Sequence, residues 1–174
     1  MTNLTWHFPT TDGGEEDGIN DPGIETFEGD HERYVARESI QNSIDARKNK
    51  KQPARVHFER CDIPLKDIPG LDELHGVIQK AQSYSENQDN SSKVYGDAEH
   101  LLKQKTISVL KISDYNTIGL NGDDKDTSGG WYKLTRARGV NSMESSTGGG
   151  SFGIGKGASF AASSLRTVFY STIN

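Results

Sequence analysis

The chain has 174 residues, enough for one domain with a real hydrophobic core but not for two typical domains. Its 25 acidic residues outnumber its 20 basic ones, and the longest basic run is residues 47–51, so a surface dedicated to nucleic acid is not indicated. Cys61 is the sole cysteine, which excludes an internal disulfide, and no apolar stretch has the length of a signal core or membrane span. We therefore expect a cytoplasmic protein with no membrane partner.

The N-terminal part contains one strongly predicted helix. Residues 4–8 are typical of a short strand, and residues 10–29 form an acidic, glycine-bearing segment with little capacity to pack. Asp30 is a suitable N-cap for a helix over residues 31–48, whose final lysines suit the negative end of a helix dipole.

The middle of the chain is predicted to contain two strands and two helices. Residues 54–59 alternate like a strand, and residues 106–113 are apolar enough to predict a strand buried on both faces. Residues 71–84 and 97–103 predict amphipathic helices, separated by a polar spacer over residues 85–93.

The last third is predicted to be mostly irregular. Residues 119–150 form a long polar connection, interrupted by a short helix around residues 131–137. A glycine-rich turn and a helix through residues 158–162 follow, and residues 165–172 predict a final strand.

The glycine-rich turn is the first candidate site. Without side chains, its backbone amides can close around a phosphate, and Lys156 adds a positive charge where Gly155 leads into the next helix. The P-loop pattern fits residues 150–156 but then requires a hydroxyl residue where Gly157 stands, and the polar residues 141–147 do not suit the strand that precedes a P-loop.

Two other interpretations of this turn remain. The Rossmann pattern matches Gly153, Gly155 and Ala158, but the preceding strand and the later acidic residue are missing. A flexible loop without a ligand is the plain alternative, so other residues must decide.

The first helix carries a second signal. Glu38, Asn42 and Asp45 are spaced to share one helix face, and an amide one turn from a carboxylate can serve Mg²⁺ while the carboxylate acts as a base on water. The alternative is an ordinary amphipathic helix with a wet face. The opposite face is predicted to carry Ala36, Ile40 and Ile44.

A third signal follows the second predicted strand. Asp114 at its end is a common turn former, but an ionised carboxylate only accepts hydrogen bonds, so it could bind the exocyclic amine of adenine and reject guanine. Gly119 would let the backbone approach the base, and Leu120 would contact its ring.

Together, these three segments resemble the GHKL ATPases, the family of DNA gyrase B subunits, MutL-type repair proteins, heat-shock-ninety-type chaperones and histidine kinases. Glu38, Asn42, Asp45 and Ala46 match the first motif of the family. Residues 114–119 are similar to the second motif, Asp-x-Gly-x-Gly, with Asn116 replacing its first glycine and one extra residue before Gly119. Residues 150–155 are similar to the third, Gly-x-x-Gly-x-Gly.

The resemblance covers residues 25–173 and implies an α+β fold, the Bergerat two-layer sandwich, in which a mixed sheet carries helices on one face. It implies that Glu38 activates water, Asn42 binds Mg²⁺, and Asp114 selects adenine. The implied ATP-binding residues are Asn42, Asp45, Asp114, Gly119, Leu120, Gly149, Gly150, Phe152, Gly153, Ile154, Gly155, Lys156 and Gly157.

The resemblance also implies a domain organisation. Residues 1–29 would be a leader able to strap onto a partner, and residues 30–174 the ATP-binding domain, with an ATP lid over residues 121–147. Arg136 and Arg138 would reach phosphates or lie on the surface. Family members have further strands after the one matched by residues 165–172, so we expect a truncated domain, the front of a longer protein or a divergent minimal version. Truncation would leave an exposed sheet edge.

The expected function is slow Mg²⁺-dependent ATP hydrolysis. Lid closure and homodimerisation would then control a partner protein or a C-terminal effector domain, in a setting such as prokaryotic antiviral defence. Two alternatives remain open: an ATP-sensing module without turnover, and a histidine-kinase-like phosphotransferase. The latter needs a phospho-acceptor histidine, whereas His31, His57, His75 and His100 are scattered.

Overall fold

A computed structural model of the chain describes residues 6–8, 19, 21–27, 29–85, 87, 89–137 and 155–173. These residues contain six α-helices, one 3₁₀ helix and a two-stranded antiparallel sheet, which confirms the α+β class. The contacts divide the chain into two compact units. The first unit comprises residues 1–19 and 59–111, and the second comprises residues 20–58 and 112–174.

The second unit begins with two capped helices. Helix α1 spans Pro22–Glu25, and the Asp21 carboxylate accepts a hydrogen bond from Gly23 N at 2.8 Å. Helix α2 spans His31–Asp45 and is capped by Asp30, as predicted. It ends before the predicted residue 48, because Lys48 N donates to Asn116 O at 2.9 Å and not to a carbonyl of the helix.

The core of the second unit includes a residue from the acidic N-terminal segment. Phe27 is only 5% exposed and clusters with Val35, Ala158 and Ala161, and its ring meets that of Tyr34 edge-on at 5.4 Å. The prediction that residues 10–29 pack poorly is therefore wrong for the segment around Phe27. Phe27 and the partly buried Ile24 pack this segment against the helices.

Helix α6 spans Gly157–Ala162 and packs against both α1 and α2. Lys156 is its N-cap residue, so the helix begins one residue later than predicted. A Cβ atom at Gly157 would overlap the carbonyl oxygen of Gly23 and lie 3.1 Å from the Phe27 ring, so this contact requires a residue without a side chain.

No strand forms over residues 165–172, so that prediction is wrong. Arg166 has a φ of 48°, outside the extended region, and the Thr167 hydroxyl donates to Leu165 O at 2.8 Å. An alternating sequence makes a strand only where a neighbouring strand supplies hydrogen bonds. Of the strand predicted over residues 4–8, residues 6–8 have no regular structure, and residues 4 and 5 lie outside the described residues.

The sheet consists of β1, Arg55–Pro64, and β2, Thr106–Tyr115, both longer than predicted. The guanidinium of Arg55 lies 5.7 Å from the ring centre of Tyr115. Burial of β2 on both faces was predicted and is wrong, since Leu110 is 49% exposed.

The first unit contains helices α3, Leu71–Tyr84, and α4, Asp89–Leu101, which contact each other. The bounds of α3 agree with the prediction, whereas α4 begins well before the predicted residue 97. In the predicted spacer, the Gln82 amide donates to the Ser92 hydroxyl at 3.1 Å, which ties the first turns of α4 to α3. The buried apolar residues of this unit are Leu65, Ile68, Leu74, Ile78, Ala98 and Leu102.

Trp6 packs against the start of α3 in the first unit. Its indole Nε1 donates to Pro69 O at 2.8 Å, and a Cβ at Gly70 would lie 2.6 Å from Trp6 Cδ1. Gly70 also has a φ of 63°, a conformation that favours glycine. Within the described part of the chain, no helix has the length and apolar character needed to cross a membrane.

Phe27→Ala is expected to lower the free energy of unfolding by about 3 kcal/mol, because it removes a buried ring and leaves a cavity beside Val35. Urea denaturation measures this change. The control is Phe169→Ala, at a ring that is largely exposed, with an expected loss below about 1 kcal/mol. Equal losses for the two variants would contradict the assigned core.

Candidate functional site

The predicted polar face of α2 borders the buried side of the helix. Glu38 has a side chain only 19% exposed, and one of its oxygens pairs with Arg37 Nη2 at 3.2 Å. Asn42 and Asp45 are exposed, and Asp45 accepts a hydrogen bond from the Gln41 amide at 3.0 Å. Glu38 and Asn42 therefore flank the buried stripe of α2, as a binding face would.

The predicted apolar face of α2 is wrong. Ile40 and Ile44 are 42% and 50% exposed, whereas the buried residues of the helix are Val35 and Ser43. The helix packs through the face that carries Val35 and Ser43, and its two isoleucines lie outside that face.

Ser43 connects α2 to the end of β2. Its hydroxyl donates to Ser39 O at 2.8 Å and lies 3.5 Å from Asp114 Oδ2, although Ser43 and Asp114 are 71 residues apart. Ser43 was not identified from the sequence. The sequence gives only a weak indication of its role, because a serine one turn after Ser39 predicts a contact only when that helix face is known to be buried.

The loop after Asp114 is held in a defined conformation. Asn116 and Gly119 have φ values of 62° and 66°, so both stand where a glycine is favoured and where asparagine is the best tolerated replacement. Leu120 N donates to Thr172 Oγ1 at 3.0 Å, which fixes the residue predicted to contact the base. Thr172 was not identified from sequence, because it acts through a long-range contact.

The end of the glycine-rich turn lies against Glu38. A Cβ atom at Gly155 would overlap the Glu38 carboxylate, so the approach of the two residues depends on the missing side chain. Gly157 has a clear packing role against α1. The other turn residues predicted for the site lie outside the described residues: Gly149, Gly150, Phe152, Gly153 and Ile154.

Lys156 bonds to the segment predicted to form the lid. Its Nζ donates to Ala137 O at 2.5 Å and to Leu134 O at 3.4 Å, at the carboxyl end of helix α5, which spans Gly130–Thr135. A cation is favourable at this end of a helix, where carbonyls lack partners. Lys156 therefore joins the end of the glycine turn to α5.

The segment leading into α5 is ordered by its own side chains. Asn121 Oδ1 accepts a hydrogen bond from Gly130 N at 2.9 Å. The hydroxyl and backbone amide of Ser128 donate to Asp126, which holds the pKa of that carboxyl below its ordinary value. Arg136 pairs with Asp124 at 3.6 Å on the surface, which favours the surface interpretation, and Arg138 lies outside the described residues.

Helix α2 carries three groups that could take part in chemistry: the Glu38 carboxylate as a base, the Asn42 amide, and the Asp45 carboxylate as a hydrogen-bond acceptor. In the described part of the chain, no three or more His, Cys, Asp or Glu residues cluster as a metal site would. Asn42 alone would be a weak ligand, but Mg²⁺ commonly takes one or two protein oxygens and completes its shell with water and phosphate. The residues present thus fit a cation that arrives with a nucleotide.

In comparisons with known proteins, the chain matches no family model, and no curated protein or solved structure is significantly similar to it. The resemblance to the GHKL family therefore depends on the three sequence motifs alone.

Lys156→Met is expected to increase hydrogen exchange of the α5 amides several-fold, because it keeps the aliphatic stem but removes the ammonium that bonds Leu134 and Ala137. Exchange mass spectrometry of residues 130–137 without nucleotide measures the effect. The control is Lys125→Met, at an exposed lysine of the same segment. Unchanged exchange in Lys156→Met would contradict the observed contact.

Proposed function

We propose that this chain is a GHKL-type domain that binds ATP with Mg²⁺ and hydrolyses it slowly. One observation carries the proposal: α2 meets the two other motifs, with Ser43 beside Asp114 and Glu38 beside Gly155. The resemblance contributed the order of the motifs in the chain and the roles that it implies for their residues. Their convergence on one helix is what a nucleotide site built from all three would require.

Asp114 is proposed to recognise adenine. Its carboxylate remains exposed and accepts hydrogen bonds, so it can take the N–H of the exocyclic amine, where guanine presents a carbonyl oxygen that would be repelled. Gly119, with positive φ and no side chain, lets the backbone approach the base, and Leu120 would pack on its ring.

The phosphates are proposed to lie toward Glu38, Asn42 and the glycine turn. Asn42 would hold Mg²⁺, and the bound ion would neutralise charge on the phosphates. Glu38, as a carboxylate of low exposure, would accept the proton of the water that attacks the terminal phosphate. Asp45, one turn beyond Asn42 on α2, would orient the adenine end through hydrogen bonds.

Lid closure is proposed to transmit the nucleotide state. The lid over residues 121–147 includes α5, and Lys156 ties α5 to the glycine turn. Closure and homodimerisation would control a partner protein or a C-terminal effector domain, and antiviral defence in a prokaryote is the proposed setting. The Bergerat fold, with a mixed sheet larger than the two described strands, is part of the same proposal.

An ATP-sensing module without turnover is the second candidate. It is favoured by the ion pair between Arg37 and Glu38 at 3.2 Å, because a carboxylate oxygen engaged by a guanidinium is less available to water. In that case ATP binding alone would order the lid.

Glu38→Gln is expected to reduce ATP hydrolysis at least about 100-fold while ATP affinity changes little, because it removes a general base and keeps the shape of the side chain. Phosphate release and calorimetry measure the two quantities. Glu32→Gln, at an exposed residue in the first turn of α2, is the control. Wild-type protein that binds ATP without hydrolysing it would favour the sensing module, and full activity in Glu38→Gln would exclude the catalytic assignment.

Asp114→Asn is expected to weaken ATP binding by about 100-fold and to reduce the preference for ATP over GTP, because an amide can donate where the carboxylate only accepts. Calorimetric titration with each nucleotide measures the preference. Asp62→Asn, an exposed position on β1, should leave both affinities unchanged. Retention of the full ATP preference in Asp114→Asn would exclude its role.

A further inference from the structure

Asn116 stands directly after β2 in a conformation that few side chains accept. Its φ is 62°, and asparagine is among the residues that reach this region at least cost. A glycine would satisfy the same backbone requirement more easily. The presence of asparagine therefore calls for a role of its side chain.

The side-chain amide of Asn116 bonds to the segment that leaves α2. Oδ1 accepts from Asn49 N at 3.0 Å, and Nδ2 lies within hydrogen-bond distance of the carbonyls of Asn49, Gln52 and Pro53, at 3.1, 3.0 and 3.3 Å. Two N–H hydrogens are thus shared among three acceptors. All the partners are backbone groups.

Backbone contacts on both sides of Asn116 reinforce this connection. Lys48 N donates to Asn116 O and Ile118 N donates to Ala46 O, each at 2.9 Å, and Arg47 and Thr117 form an antiparallel bridge. We call residues 46–53 together with residues 116–118 the Asn116 clamp. It joins the chain leaving α2 to the chain leaving β2.

The clamp lies next to the proposed adenine end of the site. Asn42 and Ser43 are on the last turns of α2, and Asp114 is two residues before Asn116. The 3.5 Å contact between Ser43 Oγ and Asp114 Oδ2 depends on how these two chain ends are held. A shift of the loop by one ångström would move the carboxylate away from the helix that carries the metal-binding amide.

We propose that Asn116 is a positioning residue for base recognition, which fixes Asp114 relative to α2 without contacting the nucleotide. This proposal rests on the proposed ATP site. Asn116 thereby makes the selection of adenine dependent on the loop that follows the helix. A glycine at this position would adopt the same turn but would lack the side-chain hydrogen bonds to residues 49–53.

Two substitutions keep the turn at residue 116 but weaken or remove its side-chain hydrogen bonds to residues 49–53. Asn116→Asp keeps the tolerance for positive φ but replaces the Nδ2 donor by an oxygen facing three carbonyls, and Asn116→Gly keeps the turn and removes every side-chain bond. Gln52→Ala is the matched control, because Asn116 bonds only the backbone carbonyl of Gln52, which the substitution keeps. The side chain of Gln52 is exposed.

The readout is the ratio of ATP to GTP affinity by calorimetry. Both Asn116 variants are expected to bind ATP about tenfold more weakly, and the ratio of ATP to GTP affinity is expected to fall by a similar factor, with Gln52→Ala unchanged. The hydrolysis rate at saturating ATP should change less than the affinity, because Glu38 is not displaced. A merely destabilised protein would lose binding sites for both nucleotides and keep the ratio.

The outcomes distinguish the two proposals. Wild-type protein that binds neither nucleotide overturns the proposed function and, with it, the role of Asn116. Wild-type protein that prefers ATP, combined with an unchanged ratio in Asn116→Asp and Asn116→Gly, overturns the role of Asn116 alone.

Discussion

The close approach of α6 to α1 and α2 is the constraint on which the second unit depends. The contact is possible because Gly157, Ala158 and Ala161 present almost no side chain, and the carbonyl of Gly23 occupies the space that a Cβ at Gly157 would need. The same approach brings Gly155 against Glu38. Small residues thus serve two purposes here: they close the core around Phe27, and they place the end of the glycine turn beside an acidic side chain.

The features of this chain that could be predicted are those determined by residues close together in the sequence. Helix α3 was predicted to the residue, and the start of α2 follows from Asp30, because caps and amphipathic periodicity involve residues within a few turns. The prediction of a strand over residues 165–172 was wrong, because a strand needs a neighbouring strand that no local pattern specifies. The predictions that the segment around Phe27 packs poorly and that Ile40 lies on an apolar face were wrong for the same reason: burial depends on what packs against a residue.

The candidate site divides in the same way. Glu38, Asn42 and Asp114 could be proposed from residue type and spacing, and the resemblance added their roles. Ser43 and Thr172 could not, because each acquires its place through a contact with a residue far away in the chain. Asn116 was noted only as a departure from the second motif, and its hydrogen bonds to residues 49–53 give that departure a physical reason.

The two tryptophans of the chain are distributed one to each unit. Trp6 lies in the first unit against Gly70, with its indole nitrogen bonded to Pro69 O, and Trp131 lies in α5 of the second unit. Since indole emission depends on local polarity, a Trp→Phe replacement of either residue leaves a protein whose tryptophan fluorescence comes from one unit alone. Trp131 also lies in the first turn of the helix that Lys156 contacts, so its emission is an intrinsic optical probe of α5 that requires no added label.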